Sequence, residues 1–132
     1  MKYAIVTKND EQSAKVTKQL KEYVTGKEST NPEFVFSVGG DGTFLDAVRL
    51  NIDRLDEITF IPIHTGTLGF YTEFLPSEIK KIIDLLNSTE KPLSRKYNML
   101  EVHINGDISY ALNEVTFSAH HHLLEGEVYI DD

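Results

Sequence analysis

The apolar positions in the first part of the chain fall into short continuous runs separated by helical stripes. Tyr3 to Val6 reads as a short buried strand, and Val16, Leu20, Tyr23 and Val24 share one face of a helix predicted from Glu11 to about Val24. After a loop marked by Asn31-Pro32, Phe34 to Val38 is an unbroken β-branched and aromatic run, the pattern of a parallel strand covered on both faces. Phe44, Leu45, Val48 and Ile52 then recur at i, i+1, i+4 and i+8 and predict a helix from Thr43 to about Asn51. Ile58 to Ile63 reads as a third strand, with Pro62 placing it at a sheet edge or at a stop. A further helix, starting near Pro76, carries Ile79, Ile82, Ile83 and Leu86 on one face, with Lys80 and Lys81 outward. Strands alternating with helices predict an α/β fold with an open, mostly parallel, Rossmann-like sheet.

After Pro92 the period changes to two. Leu100, Val102 and Ile104 alternate with Glu101 and His103, and Ile108, Tyr110 and Leu112 alternate with Ser109 and Ala111, around Asn105-Gly106. A two-residue turn sets apolar side chains opposite polar ones. A three-residue loop, Ile104 to Gly106, pairs Val102 with Ile108 and Leu100 with Tyr110, and on that ground it is the predicted connection. Residues 1–90 are therefore expected to form an α/β domain and residues 91–132 the beginning of an antiparallel β-sandwich domain, with the boundary near Ser88 to Lys91.

Composition narrows the function classes. At 132 residues and 40% hydrophobic content the chain suits one globular domain or a piece of a larger one. Its net charge of −8 argues against nucleic acid or an anionic membrane as partner through bulk electrostatics. With no cysteine there is neither a disulfide framework nor a thiol nucleophile. No stretch reaches the apolar length of a membrane helix, and the N-terminus lacks a signal-peptide pattern, so a cytoplasmic protein is expected.

The chemistry concentrates at Gly39-Gly40-Asp41-Gly42-Thr43. Three glycines around one carboxylate, between a strand and a helix, suit close backbone approach and positive φ, and free N–H groups at such a turn attract phosphate. Asp-Gly also signals hairpins, but the helical stripe after it favours strand–turn–helix. Neither the third glycine of a dinucleotide fingerprint nor a P-loop Gly-Lys-Ser/Thr is present. An aspartate beside phosphate is repulsive, so it implies chemistry on a neighbouring group, as base or metal ligand.

His64-Thr65-Gly66-Thr67-Leu68-Gly69-Phe70-Tyr71 falls at the same carboxyl edge of the sheet and either offers N–H and hydroxyl donors to a polar ligand or is an ordinary loop. Asn113-Glu114, within the last strand pattern, either lies on a wet edge strand or hydrogen-bonds a ribose or adenine, or supports a metal. His120-His121-His122 lacks the ligand spacing of a zinc site and reads as a solvated hairpin tip. Arg95 and Lys96 read as solvated linker charges with an option on phosphate.

Together, Gly39-Gly40-Asp41-Gly42-Thr43-Phe44-Leu45, His64 to Phe70 and Asn113-Glu114 resemble, in order and spacing, the bacterial NAD kinases, which transfer the terminal phosphoryl of ATP or polyphosphate to the adenosine-ribose 2′-hydroxyl of NAD. The resemblance runs over most of residues 1–119. Diacylglycerol and sphingosine kinases and phosphofructokinases share a version of the glycine motif, but lipid kinases are expected to carry a Gly-Thr-Gly-Asn type loop where this chain has Gly66-Thr67-Leu68-Gly69. The resemblance implies Asp41 as general base and Gly39, Gly40, Gly42 and Thr43 along the path of the ATP phosphates. It implies NAD contacts from Asp41, Gly42, Phe70, Tyr71, Asn113 and Glu114. Mg²⁺ or another divalent cation is implied as cofactor, with no protein ligand for it assigned, and a homo-oligomer as the family's assembly.

Family members are expected to be longer, with a further Gly-Asp-Gly stretch and a Thr-Pro-Thr-Gly-Ser-Thr-Ala-Tyr stretch that this chain lacks. The chain also stops within a β pattern at Val128-Tyr129-Ile130, which leaves an open edge. The expectation is a truncated form that binds NAD weakly and turns over slowly or not at all. The alternatives are a lipid kinase domain and a non-catalytic nucleotide-binding module.

Overall fold

Four parallel strands in the order β2-β1-β3-β4 form the sheet of the first of two units, Met1–Lys96. They are β1 (Lys2–Thr7), β2 (Lys27–Glu28), β3 (Phe34–Gly39) and β4 (Thr59–His64). The helices are α1 (Glu11–Tyr23), α2 (Asp41–Arg49) and α3 (Ile79–Leu86), with short 3-10 segments at Ile52–Glu57 and Pro76–Glu78. The computed structural model describes residues 1–88, 94–118 and 126–130.

β3 lies at the centre because its run is apolar on both faces, and Val35 to Gly39 are all buried. It pairs with β1 from Tyr3↔Phe34 to Thr7↔Val38 and with β4 from Phe34↔Thr59 to Gly39↔His64. Phe36 and Val38 belong to a core with Val16 and Leu20 of α1 and Ile79, Ile82 and Ile83 of α3, whereas Val35 packs with Ala47 of α2 and Ile58. Helices thus cover both faces, as expected for an open parallel sheet. Leu20, Phe36, Ile63 and Ile79 are each 0% exposed, and burying such a side chain contributes roughly 1.5–3 kcal/mol. All four of these side chains belong to the α1/α3 core, whereas the α2 face is closed by Phe44 against Phe60, ring centres 6.1 Å apart.

The Asp10 carboxylate caps α1 by accepting from the Ser13 N–H at 2.7 Å. Pro62 sits on β4, the last strand in the order, and its carbonyl accepts from the Phe74 N–H at 3.3 Å on the outer side. β2 has only two residues, too few for any periodicity, and the sequence pattern did not predict it. α2 starts at Asp41 rather than at Thr43, so the carboxylate belongs to the helix's first turn, next to its positive end.

In the second unit, Tyr97–Asp132, β5 (Leu100–Ile104) and β6 (Asp107–Ala111) form an antiparallel hairpin. Its register, Ile104↔Asp107 to Leu100↔Ala111, corrects the predicted three-residue loop. Asn105 at φ 52° and Gly106 at φ 92° are both left-handed, the conformation of a two-residue type I′ turn. Facing of apolar side chains does not decide the register here because Leu100, Ile104, Ile108 and Tyr110 are 44–54% exposed. The hairpin instead carries polar cross-strand contacts: Glu101 stands opposite Tyr110 and takes a 2.7 Å contact from His103 Nε2.

Two further strand expectations are corrected. β6 ends at Ala111, so Asn113 and Glu114 lie in an exposed irregular segment, and residues 126–130 form no strand. β5 starts only at Leu100, which leaves residues beyond Ala111 without a ladder partner in the hairpin. His120, His121 and His122 lie outside the described residues.

Candidate active site

At the carboxyl edge of the sheet the two crossovers diverge. β1 leads through α1 to β2 on one side, and β3 leads through α2 to β4 on the other. In open α/β sheets this switch of direction leaves a crevice for ligands. Gly39-Gly40 ends β3 at that point, and Gly40 caps α2 with an extended backbone, φ −108° and ψ −167°. The first N–H groups of α2, at Asp41, Gly42 and Thr43, have no acceptor within the helix, which suits an anion.

The glycines of the turn do not adopt positive φ, contrary to one reason for expecting them; among the described glycines only Gly26 and Gly106 do. Gly39 is small for a packing reason: a Cβ there meets the Thr43 hydroxyl and comes 3.1 Å from Lys8 Cβ. A Cβ at Gly40 or at Gly42 meets nothing within 4 Å. Neither the packing nor the backbone of this unit explains those two glycines, and the open space beside them is where a ligand can approach the main chain.

Asp41 is held from the loop after β4. Its Oδ2 accepts from the Phe70 N–H at 2.7 Å, and its Oδ1 accepts from the N–H groups of Tyr71 at 3.0 Å and Thr72 at 3.3 Å. The buried Thr72 hydroxyl adds a 3.4 Å contact to Oδ1. Gly69 lies directly against this carboxylate, so that a Cβ at Gly69 falls 2.5 Å from Asp41 Cγ. Partial burial pushes the Asp41 carboxyl up, and the three N–H groups and the hydroxyl outweigh it and hold the carboxyl below its usual value. Asp41 is therefore an anion at neutral pH, with its charge already spread over backbone donors. That lessens the repulsion toward phosphate that makes a lone aspartate at such a turn surprising.

The loop residues divide in two. Thr65 is not a free donor: its hydroxyl is bonded to Ser13 Oγ at 2.8 Å, both groups buried, and its N–H is given to the Gly39 carbonyl at 3.1 Å. His64 Nδ1 contacts the Gly66 carbonyl at 3.2 Å. Gly66, Thr67 and Leu68 are exposed. Phe70 is 91% exposed beside Asp41, so it is not the core aromatic that a residue after a loop usually is. Tyr71 stacks on Phe44 of α2 with ring centres 5.2 Å apart.

The structure thus brings Gly39, Gly40, Asp41, Gly42, Thr43, Phe70 and Tyr71 to one place. Asn113 and Glu114 belong to the second unit. Arg95 donates to Glu73 at 2.8 Å. Two residues at the site escaped the sequence reading. Thr72 has no signal beyond its place two residues after Phe70, and Lys8 stands where a cation directly after the first strand marks the same sheet edge.

Among the described residues no group of three or more His, Cys, Asp or Glu side chains is arranged to hold a metal, and no helix is long and apolar enough to cross a membrane.

Comparison with known proteins agrees with this geometry. Residues 3–91 match the ATP-NAD kinase N-terminal domain. A NAD kinase of Staphylococcus epidermidis is 40% identical over 126 residues, 88% of this chain and 46% of that protein. NAD kinase 1 of Bacillus cereus is 37% identical over 98% of this chain and 52% of its own length. A NAD kinase of Lactobacillus acidophilus is 36% identical over 100% of this chain and 52% of its own. The chain spans about half the length of these curated relatives. With its parallel sheet, its glycine–aspartate turn and this match over residues 3–91, the chain belongs to the NAD kinase family.

Proposed function

We propose that this chain carries the phosphoryl-transfer half of a NAD kinase site, in which ATP or polyphosphate phosphorylates the adenosine-ribose 2′-hydroxyl of NAD. One observation carries this reading: the Asp41 carboxylate sits in the first turn of α2, at the end of β3, between Gly40 and Gly42, beside which a Cβ would meet nothing within 4 Å. Asp41 receives the hydroxyl as a hydrogen-bond acceptor and takes its proton while the ribose oxygen bonds to the terminal phosphorus. The bridging P–O bond breaks and the rest of the donor leaves with its electron pair. Because the transition state needs little covalent help, a carboxylate whose pKa lies below its usual value still orients the hydroxyl.

Gly39, Gly40, Gly42 and Thr43 line the donor phosphates through backbone N–H groups. Phe70, exposed at the rim, and Tyr71, fixed on Phe44, flank the NAD adenosine, with Asn113 and Glu114 of the β-rich part as its hydrogen-bonding residues. Residues 91–132 are read as the beginning of that NAD-binding domain. A bound Mg²⁺ would screen the charge of the donor phosphates, and no residue of this chain is assigned as its ligand. The protein acts in the cytoplasm, on nucleotides rather than nucleic acid or membrane, and assembles as a homo-oligomer.

The test is ATP-dependent conversion of NAD to NADP, read by a coupled NADP-specific assay, alongside direct NAD binding. Saturable NAD binding that Asp41→Asn weakens or uncouples from any NADP formation supports the reading. NAD binding and NADP formation both indifferent to Asp41→Asn remove Asp41 from the mechanism.

A further inference from the structure

Lys8 is the residue immediately after β1. Its N–H donates to the Val38 carbonyl at 2.9 Å, which carries the β1–β3 ladder to the last position before the glycine turn and fixes the Lys8 backbone in the crevice. The side chain leaves toward the turn: an ideal Cβ at Gly39 lies 3.1 Å from Lys8 Cβ and also against the Thr43 hydroxyl. Lys8, Gly39 and Thr43 are therefore contiguous at the point where the α2 N–H groups begin.

The ammonium group does not point into empty solvent. Nζ is paired with Asp10 Oδ2 at 3.0 Å, and both side chains are partly open to water, at 62% and 34%. Asp10 is anchored independently, because its other oxygen caps α1 through the Ser13 N–H. An exposed pair of this kind costs little to exchange, about 0–1 kcal/mol. Asp41 is held by the 70–72 loop, and Arg95 donates to Glu73. A turn that receives several phosphate charges in a chain of net charge −8 gains from a cation that can move a few ångströms.

We propose that Lys8 is a donor-binding residue, an ammonium held ready on Asp10 that transfers to the polyphosphate tail of the phosphoryl donor at the Gly39–Thr43 turn. This rests on the NAD kinase reading of the same site and adds to it a side-chain cation that neither the glycine motif nor Asp41 supplies. Binding exchanges one ion pair for another, with no covalent step. Recognition is of the phosphate tail and not of the base, so ATP and inorganic tripolyphosphate are affected alike, and AMP and NAD are affected little.

The experiment is calorimetric titration of this chain and of Lys8→Met and Lys8→Arg with ATP, tripolyphosphate, AMP and NAD, each with Mg²⁺ and at two salt concentrations. Lys8→Met is expected to weaken ATP and tripolyphosphate by about two- to fivefold, a range typical of an exposed charge contact, and to flatten their salt dependence. Lys8→Arg is expected to restore most of the loss. Because the Lys8 side chain is mostly exposed, circular dichroism and the thermal midpoint of Lys8→Met should stay at wild-type values. ATP affinity unchanged in Lys8→Met while NAD still binds, or an equal loss for AMP and ATP, overturns the role of Lys8 alone. An unsubstituted chain that binds neither ATP nor NAD overturns both this proposal and the reading beneath it.

Discussion

Replacing Gly69 by alanine tests the lock between Asp41 and the loop after β4. A Cβ at Gly69 would lie 2.5 Å from Asp41 Cγ and 2.6 Å from Oδ2, distances real side chains do not tolerate. Either the carboxylate turns away or residues 69–72 move, and both break the short contacts from the N–H groups of Phe70 and Tyr71. A hydrogen bond to a charged group contributes roughly 1.5–3 kcal/mol, and water replaces part of this at a site that is only partly buried. Losing both bonds should therefore cost about 2–3 kcal/mol. For a domain of this size, 1 kcal/mol corresponds to about 4–8 °C in the midpoint, so the thermal transition should fall by roughly 10–20 °C.

A double-mutant cycle isolates the cause. Asp41→Ala removes the group that the new methyl strikes, so Gly69→Ala should cost little in that background, with a coupling of about 2 kcal/mol. Amide proton shifts of Phe70, Tyr71 and Thr72 report the same bonds directly and should move upfield in Gly69→Ala. A Gly69→Ala variant with an unchanged midpoint and unchanged amide shifts at those three residues would show that the contact does not hold the loop. Additive costs in the cycle would show that the destabilisation has another origin.

Three further outcomes are expected. Asp10, capping α1 and paired with Lys8, is held at about 2 against its ordinary 3.8 by the Ser13 N–H first and the Lys8 ammonium next, and Asp41 is also lowered. For groups depressed by folding, the stabilisation is present above the ordinary carboxylate value and is lost as pH falls through the folded pKa. Denaturant midpoints should accordingly drop between 3.8 and about 2, and less steeply in Asp10→Asn. Ser13→Ala leaves the buried Thr65 hydroxyl without its 2.8 Å partner and should cost about 1–3 kcal/mol in chemical denaturation, much of it recovered in Ser13→Ala/Thr65→Val. Gly106→Ala meets no neighbour within 4 Å but must adopt φ 92°, so it should loosen the hairpin by roughly 1–2 kcal/mol, read as weaker cross-strand contacts between Glu101 and Tyr110 in nuclear Overhauser spectra.

Burial explains which parts of the fold were legible. Phe34 to Val38 and the Ile79–Leu86 stripe are covered by other elements, and there the apolar period has a unique solution. The hairpin has no such cover, so its turn chemistry decided the register and an argument from facing side chains failed. β2 is held to β1 by its backbone, a contact that leaves no mark on side-chain pattern. At the site, the strand–turn–helix setting of the glycine–aspartate turn was readable. The use of the Asp41 carboxylate as the anchor of a distant loop was not, since the donors are backbone N–H groups that every sequence possesses. The same limit hid Thr65, which reads as a surface donor and is in fact bonded to a serine fifty-two positions away.

The two buried threonines have a consequence for how this edge of the protein can change over time. Thr65, tied to Ser13 and Gly39, and Thr72, beside Asp41, mark the two ends of a short span that never enters the core. Within it Gly69 cannot accept a side chain, whereas Gly66, Thr67 and Leu68 face solvent. Substitution or lengthening at those three positions leaves both ends and the sheet untouched. Sequence at these three positions can drift with little toll on folding, which makes this segment the place to diversify in a library built on this fold.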